Sequence, residues 1–107
     1  MALRDLHTLS QHAANLLGMQ VRSARLDRGW TVADLAERAG VSPPTVLKVE
    51  HGDASVSLGT AFECAVLVGV ALFYDDERRL VAEAERGRAP LLRRRARPTG
   101  HEVSLDF

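Results

Sequence analysis

The sequence predicts an all-α domain of five helices followed by an Arg-rich C-terminal tail. Apolar residues make up 46% of the 107 residues but aromatic residues only 5%, so Leu, Val and Ala must build the core. Ala and Leu favour helices, whereas the aromatic residues typical of strands are scarce. Ser or Thr precedes several apolar segments and Gly follows them, the order that begins and ends helices. We expect an N-terminal arm at residues 1–9, one domain at residues 10–86 and the tail at residues 87–107.

The first helix is expected to begin near Thr8 or Ser10 and to end before Gly29. Its apolar face recurs at helical spacing in Leu17, Val21 and Ala24. For the second helix, Thr31 is a suitable N-cap and Gly40 a suitable stop. Its inward face is expected to hold Leu35, Ala36 and Ala39.

The third helix should begin after Ser42, with Pro43 and Pro44 in its first turn. Proline is tolerated there because the first amides of a helix have no intrahelical acceptor. Val41 should tuck into the core at the turn, and Val46 and Val49 should point inward.

A fourth helix should run from the cap Ser57 to about Val68, with Gly69 as its stop. The apolar residues 70–74 fit either a short strand or the start of a helix. A fifth helix is expected over residues 75–85, ending before Pro90, with an inward face of Leu80, Val81 and Ala84. The rest of the chain is expected to be extended or disordered.

Helices two and three enclose the turn Gly40-Val41-Ser42, which is the pattern of a helix-turn-helix. The second helix of such a unit enters the major groove of DNA. Thr45 and Lys48 suit that position, because a Thr methyl packs on the thymine methyl and Lys donates to guanine.

Several function classes are not expected. Cys64 is the only cysteine, so there is no intrachain disulfide and no cysteine-based metal site. We find no nucleophile triad, paired carboxylates, phosphate-binding glycine loop or metal-ligand spacing, so we expect neither an enzyme nor a cofactor. The apolar run 61–74 contains Glu63 and is too short to span a bilayer, so we expect a cytoplasmic chain.

Residues 12–73 resemble the Xre/Cro-type helix-turn-helix family, which has the fold of phage repressor domains. The resemblance is carried by Leu17-Gly18, Val21-Arg22, Arg25, Gly29-Trp30-Thr31, Leu35-Ala36, Ala39-Gly40-Val41-Ser42, Thr45-Val46, Lys48-Val49-Glu50, Gly52, Ser57-Leu58 and Gly69-Val70. It implies a double-stranded DNA operator as the partner. It also implies a structural salt bridge between Arg25 and Glu50.

The DNA contacts expected from the pattern and the resemblance are Thr31, Val32, Ser42, Pro43, Pro44, Thr45, Leu47, Lys48, His51, Arg22 and Arg28. Backbone amides near Thr31 and Ser42 are further candidates for phosphate contacts. Val32 stands where the family usually has Gln, and Leu47 where it favours a small polar residue. The DNA-reading face is therefore unusually apolar.

The fourth helix and the residues after it are apolar nearly all round, which a small domain cannot easily bury. The residues concerned are Phe62, Val66, Leu67, Val70 and Phe73. An exposed apolar patch usually marks a contact, and two-fold operators require two-fold proteins, so we expect a homodimer interface. The alternative is that the C-terminal helix covers this patch within one subunit.

The tail concentrates arginines between Arg86 and Arg97 and ends in Asp106-Phe107, although the formal net charge of the chain is +0. With the preceding domain, it resembles HipB-type antitoxins, which partner HipA-type kinase toxins. This resemblance implies a repressor that regulates its own type II toxin-antitoxin operon and neutralises a kinase-type toxin. It also implies that the protein is associated with the nucleoid. The alternative is a stand-alone Xre-type regulator. The arginines themselves fit a DNA-binding arm, a toxin-binding segment or a solvated end.

Overall fold

A computed structural model describes residues 6–95, with side chains described up to residue 88. This part of the chain forms five helices and no strand, which confirms the all-α prediction. They are α1 (Thr8–Asp27), α2 (Val32–Ala39), α3 (Pro43–Glu50), α4 (Leu58–Leu67) and α5 (Glu77–Arg95). The first residues of the predicted arm and most of the predicted tail lie outside the described residues.

None of the described helices is both long and apolar enough to cross a membrane.

The chain divides into two compact units between Leu72 and Phe73. The first unit contains α1 to α4, and the second contains α5. Residue 86, the predicted end of the domain, lies within α5 in the second unit. The helix-turn-helix is formed entirely within the first unit.

Small aliphatic side chains build the core of the first unit, as the composition predicts. Val21, Leu35, Val46 and Cys64 are completely buried, one from each of its four helices. α3 packs against α1 and α2, and α4 packs against α1, α2 and α3. Burial raises the pKa of the Cys64 thiol, which keeps this side chain a neutral core group.

Local capping fixes the starts of three helices. Thr31 and Asp34 form a reciprocal capping box, in which each side chain accepts the other residue's backbone N–H, at 3.0 and 2.8 Å. Ser42 and Ser57 each accept a backbone N–H from three residues ahead. Gly40 ends α2 in the left-handed region with φ of 71°. The caps predicted from the sequence are thus confirmed.

α1 and α3 approach each other at Gly18, which lies in the middle of α1. A methyl group on Gly18 would overlap the backbone carbonyls of Val49 and Glu50. Glycine at this position therefore lets the C-terminal end of α3 rest directly on the α1 backbone.

Residues 70–74 are neither strand nor helix. The chain leaves α4 with Val70 N–H donating to the Ala65 carbonyl at 2.8 Å, and then runs through a series of bends to residue 76. Phe73 adopts a left-handed φ of 69°, which interrupts any extended strand or right-handed helix. Both alternatives drawn from the apolar composition of this segment are wrong.

α5 begins two residues later than predicted and continues to Arg95, so the break predicted at Pro90 is wrong. Asp76 starts the helix by accepting the Arg78 backbone N–H at 2.9 Å. An internal proline removes one hydrogen bond and costs about 3 kcal/mol, but Ala, Glu, Leu and Arg on both sides favour helix. Of the predicted inward residues, Leu80 is half-buried, whereas Val81 and Ala84 are exposed.

Candidate nucleic-acid interface

α3 and its C-cap residue His51 present five of the predicted contact residues on one exposed face. With 3.6 residues per turn, its buried side chains Val46, Val49 and Glu50 fall on one side of the helix. The opposite side carries the exposed residues Pro43, Pro44, Leu47, Lys48 and His51, which we call the α3 face. A helix held against a core by one side and exposed on the other is the arrangement that major-groove insertion needs.

A buried ion pair fixes α3 on α1. Arg25 Nε donates to Glu50 Oε2 at 2.7 Å, and Arg25 Nη2 donates to Glu50 Oε1 at 3.0 Å. Arg25 Nη1 donates to the Trp30 carbonyl at 2.9 Å, which ties the same guanidinium to the α1–α2 turn. The hydrogen bond to Glu50 holds the pKa of Arg25 above its usual value. This is the pairing that the resemblance implies, and it sets the orientation of the α3 face.

Thr45 lies at the edge of the α3 face and is half-buried. Its hydroxyl shares a 2.9 Å hydrogen bond with the Ser42 hydroxyl, and its backbone N–H donates to the Ser42 Oγ. The hydroxyl is therefore committed to the start of the helix, which leaves the methyl group for contact with a base.

The amides at the start of α3 are a poor phosphate site, contrary to the sequence expectation. Pro43 and Pro44 have no N–H, and the Thr45 N–H is bonded to Ser42. The first turn of α3 thus offers no amide donor to a phosphate. Two adjacent prolines after a cap remove both amides, so the sequence itself argues against a phosphate site here.

The start of α2 also differs from the expectation. The Thr31 N–H is already bonded to the Asp34 carboxylate, whose pKa is lowered mainly by this backbone hydrogen bond. That carboxylate repels a phosphate approaching the same amide. Val32 is half-buried and packs against the core, because an apolar side chain at this position is favoured by burial. Val32 therefore packs against the core and leaves only part of its side chain exposed to a DNA contact.

The two arginines expected at phosphates have different environments. Arg22 is exposed on α1. Arg28 donates from Nε to the Val68 carbonyl at 2.9 Å, which joins the end of α1 to the end of α4. This contact gives Arg28 a structural role that its position in the sequence did not reveal.

Trp30 stands between two arginines that sequence analysis did not connect. Arg38 Cζ lies 4.1 Å from the Trp30 ring centroid, and Arg28 Cζ lies 5.4 Å from it. Both distances are within the range of cation–π attraction. Arg38 is eight residues beyond Trp30 along the chain, so only the folded turn between α1 and α2 brings them together.

The predicted interface residues after the third helix are only partly exposed. Val66 is 57% exposed and Phe73 is 78% exposed, whereas Phe62, Leu67 and Val70 are half-buried. Leu67 and Val70 pack against the core. Leu58, which the sequence analysis did not include, is 68% exposed and lies two turns before Val66 on α4. The apolar surface of α4 is therefore narrower than predicted and begins earlier.

The helix-turn-helix family model matches residues 21–74. No curated protein and no solved structure matches the chain. The matched region spans half of the chain and contains the second part of α1, the capped α2 and α3, and α4. The chain is therefore a DNA-binding transcription regulator, and it belongs to the Xre/Cro-type helix-turn-helix family.

Proposed function

We propose that this chain is a sequence-specific repressor that reads operator DNA with the α3 face. The observation that carries the proposal is the exposure of Leu47, Lys48 and His51 on a helix whose other side is fixed by the buried Arg25–Glu50 pair. Base readout needs side chains at defined positions in the groove, and a rigidly held helix supplies them.

The composition of the α3 face indicates the bases that it would favour. Lys48 donates hydrogen bonds, and the guanine O6 and N7 acceptors in the major groove are its best partners. Pro44 and Leu47 are apolar and exposed, and the thymine methyl is the apolar group in that groove. We therefore propose a half-site in which a guanine lies beside one or more thymines.

The experiment that tests this function is selection from a random duplex library at fixed salt. Wild-type protein should enrich one sequence with a guanine next to thymines, in two inverted copies about one helical turn apart if the protein binds as a dimer. The Leu47→Ser variant should retain the guanine and lose the preference at the neighbouring position. Enrichment of no sequence above the starting pool would contradict sequence-specific readout.

We further propose that the repressor is a homodimer that uses α4. The support is the exposure of Leu58 and Val66, which lie two turns apart on one side of that helix, with the half-buried Phe62 between them. Exposed aliphatic side chains aligned in this way are typical of a contact surface. A two-fold dimer would present two α3 faces to the two halves of an operator.

The antitoxin role is the more specific proposal, with a stand-alone regulator as its alternative. Its support comes from the sequence of the tail, where Arg93, Arg94, Arg95 and Arg97 lie outside the described side chains. The proposal includes a cytoplasmic location, no catalytic activity and neutralisation of a kinase-type toxin.

The antitoxin proposal is tested by co-expression with any kinase-like protein encoded beside this gene. The full-length chain should co-purify with it, and replacing these four arginines by Ser should weaken capture while leaving operator binding intact. Capture that is unaffected by the replacement would contradict a toxin-binding tail. A neighbourhood without a kinase-like gene would favour the stand-alone regulator.

A further inference from the structure

The side of α1 that faces away from the core carries four exposed apolar side chains. Leu9 is 75% exposed, Leu16 53%, Met19 59% and Leu26 51%. On the opposite side of the same helix, Gly18, Val21 and Arg25 are buried. The four side chains are thus not an extension of the core, and packing within the first unit does not account for them.

These four residues follow a heptad pattern. Their spacings are seven, three and seven residues, which are the steps between the a and d positions of a coiled coil. His12 and Ser23 fill the two remaining positions of the pattern and are also exposed. We call the six residues the α1 seam. Because α1 is 20 residues long, the seam covers almost three heptads.

The residues that flank the α1 seam carry complementary groups. Asn15 and Arg22 occupy the g positions on one edge, and Gln20 and Asp27 occupy the e positions on the other. In a parallel pair, each g residue lies beside the e residue five positions later in the second helix. Arg22 then meets Asp27 of the second copy, whereas the Asn15 side-chain oxygen already accepts a hydrogen bond from Gln11 within α1. Two-fold symmetry doubles the contact between Arg22 and Asp27.

An antiparallel pair lacks this match. In the register that aligns Leu9 with Leu26 of the second copy, Arg22 lies near Asn15 and Asp27 has no basic residue beside it. The flanking charges therefore favour the parallel arrangement.

We infer that the α1 seam is a second self-association surface, on which a second copy of this chain packs in parallel. It lies on a different helix from the proposed α4 interface and goes beyond the proposed function. Polar residues at two of the six seam positions fix the register, since a shift by one heptad would place His12 against Met19 and Ser23 against Leu16. A chain with both surfaces forms assemblies larger than a dimer.

The test is a charge exchange, measured by sedimentation equilibrium without DNA at low salt. Arg22→Glu places two acidic residues together in each pair, and Asp27→Arg places two basic residues together. Each variant should weaken self-association through the seam about tenfold. An equimolar mixture of the two variants should recover the wild-type association, because each mixed pair regains both opposite-charge contacts.

Matched variants separate the two surfaces. Leu16→Glu should abolish association through the seam, whereas Leu47→Glu, an exposed leucine on α3, should leave it unchanged. The charge exchange is repeated on a Val66→Glu background. If Val66→Glu alone keeps the wild-type mass, the proposed α4 interface is wrong, and the charge exchange still tests the α1 seam.

Recovery in the mixture on either background supports the inference. The inference is overturned if neither charge variant weakens association, or if the mixture fails to recover it. An antiparallel pair, a covering segment of the same chain or an unrelated partner would each give no recovery. Because all the substituted side chains are exposed, each variant should keep the far-UV circular dichroism spectrum of the wild-type protein.

Discussion

At the residue scale, the buried pair of Arg25 and Glu50 carries the largest expected cost of substitution. Replacing Arg25 by Met leaves the Glu50 carboxylate buried without its cation, and losing one partner of such a pair costs about 3–5 kcal/mol. Domains of this kind are stable by only about 5–15 kcal/mol. The midpoint of urea unfolding of Arg25→Met should therefore fall steeply.

Arg22→Met is the matched control, because Arg22 lies on the same helix and is exposed. It should change the free energy of unfolding by no more than about 0.5 kcal/mol. Equal stability of the two variants would show that the pair does not hold α3 in place.

The sequence predicted the environment of some of these residues and not of others. The α3 face follows from helical periodicity around Val46 and Val49, so its members were predicted correctly as exposed. The structural role of Arg28 was not predictable. Its hydrogen-bond acceptor is the Val68 carbonyl, which lies 40 residues away and is brought near only by the packing of α1 on α4.

At the element scale, the contact between α1 and α3 depends on Gly18. Gly18→Ala forces a methyl group against the backbone carbonyls of Val49 and Glu50, which cannot move as a flexible side chain would. Overpacking of this kind costs about 1–3 kcal/mol. Thermal unfolding should report a correspondingly lower transition temperature.

Gly59→Ala provides the control for this substitution. Gly59 is also helical, and a methyl group there meets no atom within 4 Å. Alanine should instead stabilise α4 by up to about 1 kcal/mol. A Gly18→Ala variant as stable as Gly59→Ala would refute the close approach of the two helices.

The capping box of α2 predicts a dependence on pH. The hydrogen bond from the Thr31 N–H lowers the pKa of Asp34 below its ordinary value of 3.8. A lowered pKa means that the ionised carboxylate stabilises the folded state above that ordinary value and that this contribution is lost as the pH falls through the folded pKa. Asp34→Ala should be less stable than wild type at neutral pH.

The difference between the two proteins should shrink as the pH is lowered from 5 toward 3, in a series of urea unfolding curves. Glu37→Ala, which removes an exposed carboxylate from the same helix, should change the free energy of unfolding at neutral pH by no more than about 0.5 kcal/mol. A difference between Asp34→Ala and wild type that stays constant with pH would argue against the capping box.

Helix boundaries were predictable where a side chain caps the helix locally, as at Thr31, Ser42 and Ser57. The conformation of the segment after Gly69 was not predictable, because its apolar composition suits strand, helix and loop equally. The continuation of α5 past Pro90 was missed because proline is a strong breaking signal, which the helix-forming residues on both sides outweigh.

At the scale of the whole molecule, the proposed α4 interface predicts the oligomeric state. Val66→Glu puts a charge in an apolar contact and should lower the average mass in sedimentation at micromolar protein, compared with wild type. Leu47→Glu, also an exposed aliphatic residue, should not lower it. A wild-type mass for Val66→Glu would assign self-association to another surface.

The neutral net charge of the chain adds a further consequence. A protein with no overall positive charge has little general attraction for DNA, so its binding must depend on local contacts. Composition alone therefore does not indicate DNA as the partner, whereas the helix-turn-helix pattern does.

Affinity of the intact protein for its selected operator and for a scrambled duplex, at one fixed salt concentration, tests the central claim most directly. Lys48→Ala should weaken operator binding by about 1–3 kcal/mol and scrambled binding much less, because a base contact is lost. Arg78→Ala, an exposed basic residue outside the α3 face, should leave the discrimination between the two duplexes unchanged. If Lys48→Ala retains wild-type affinity for the operator, or loses affinity equally for both duplexes, the α3 face does not read bases through Lys48.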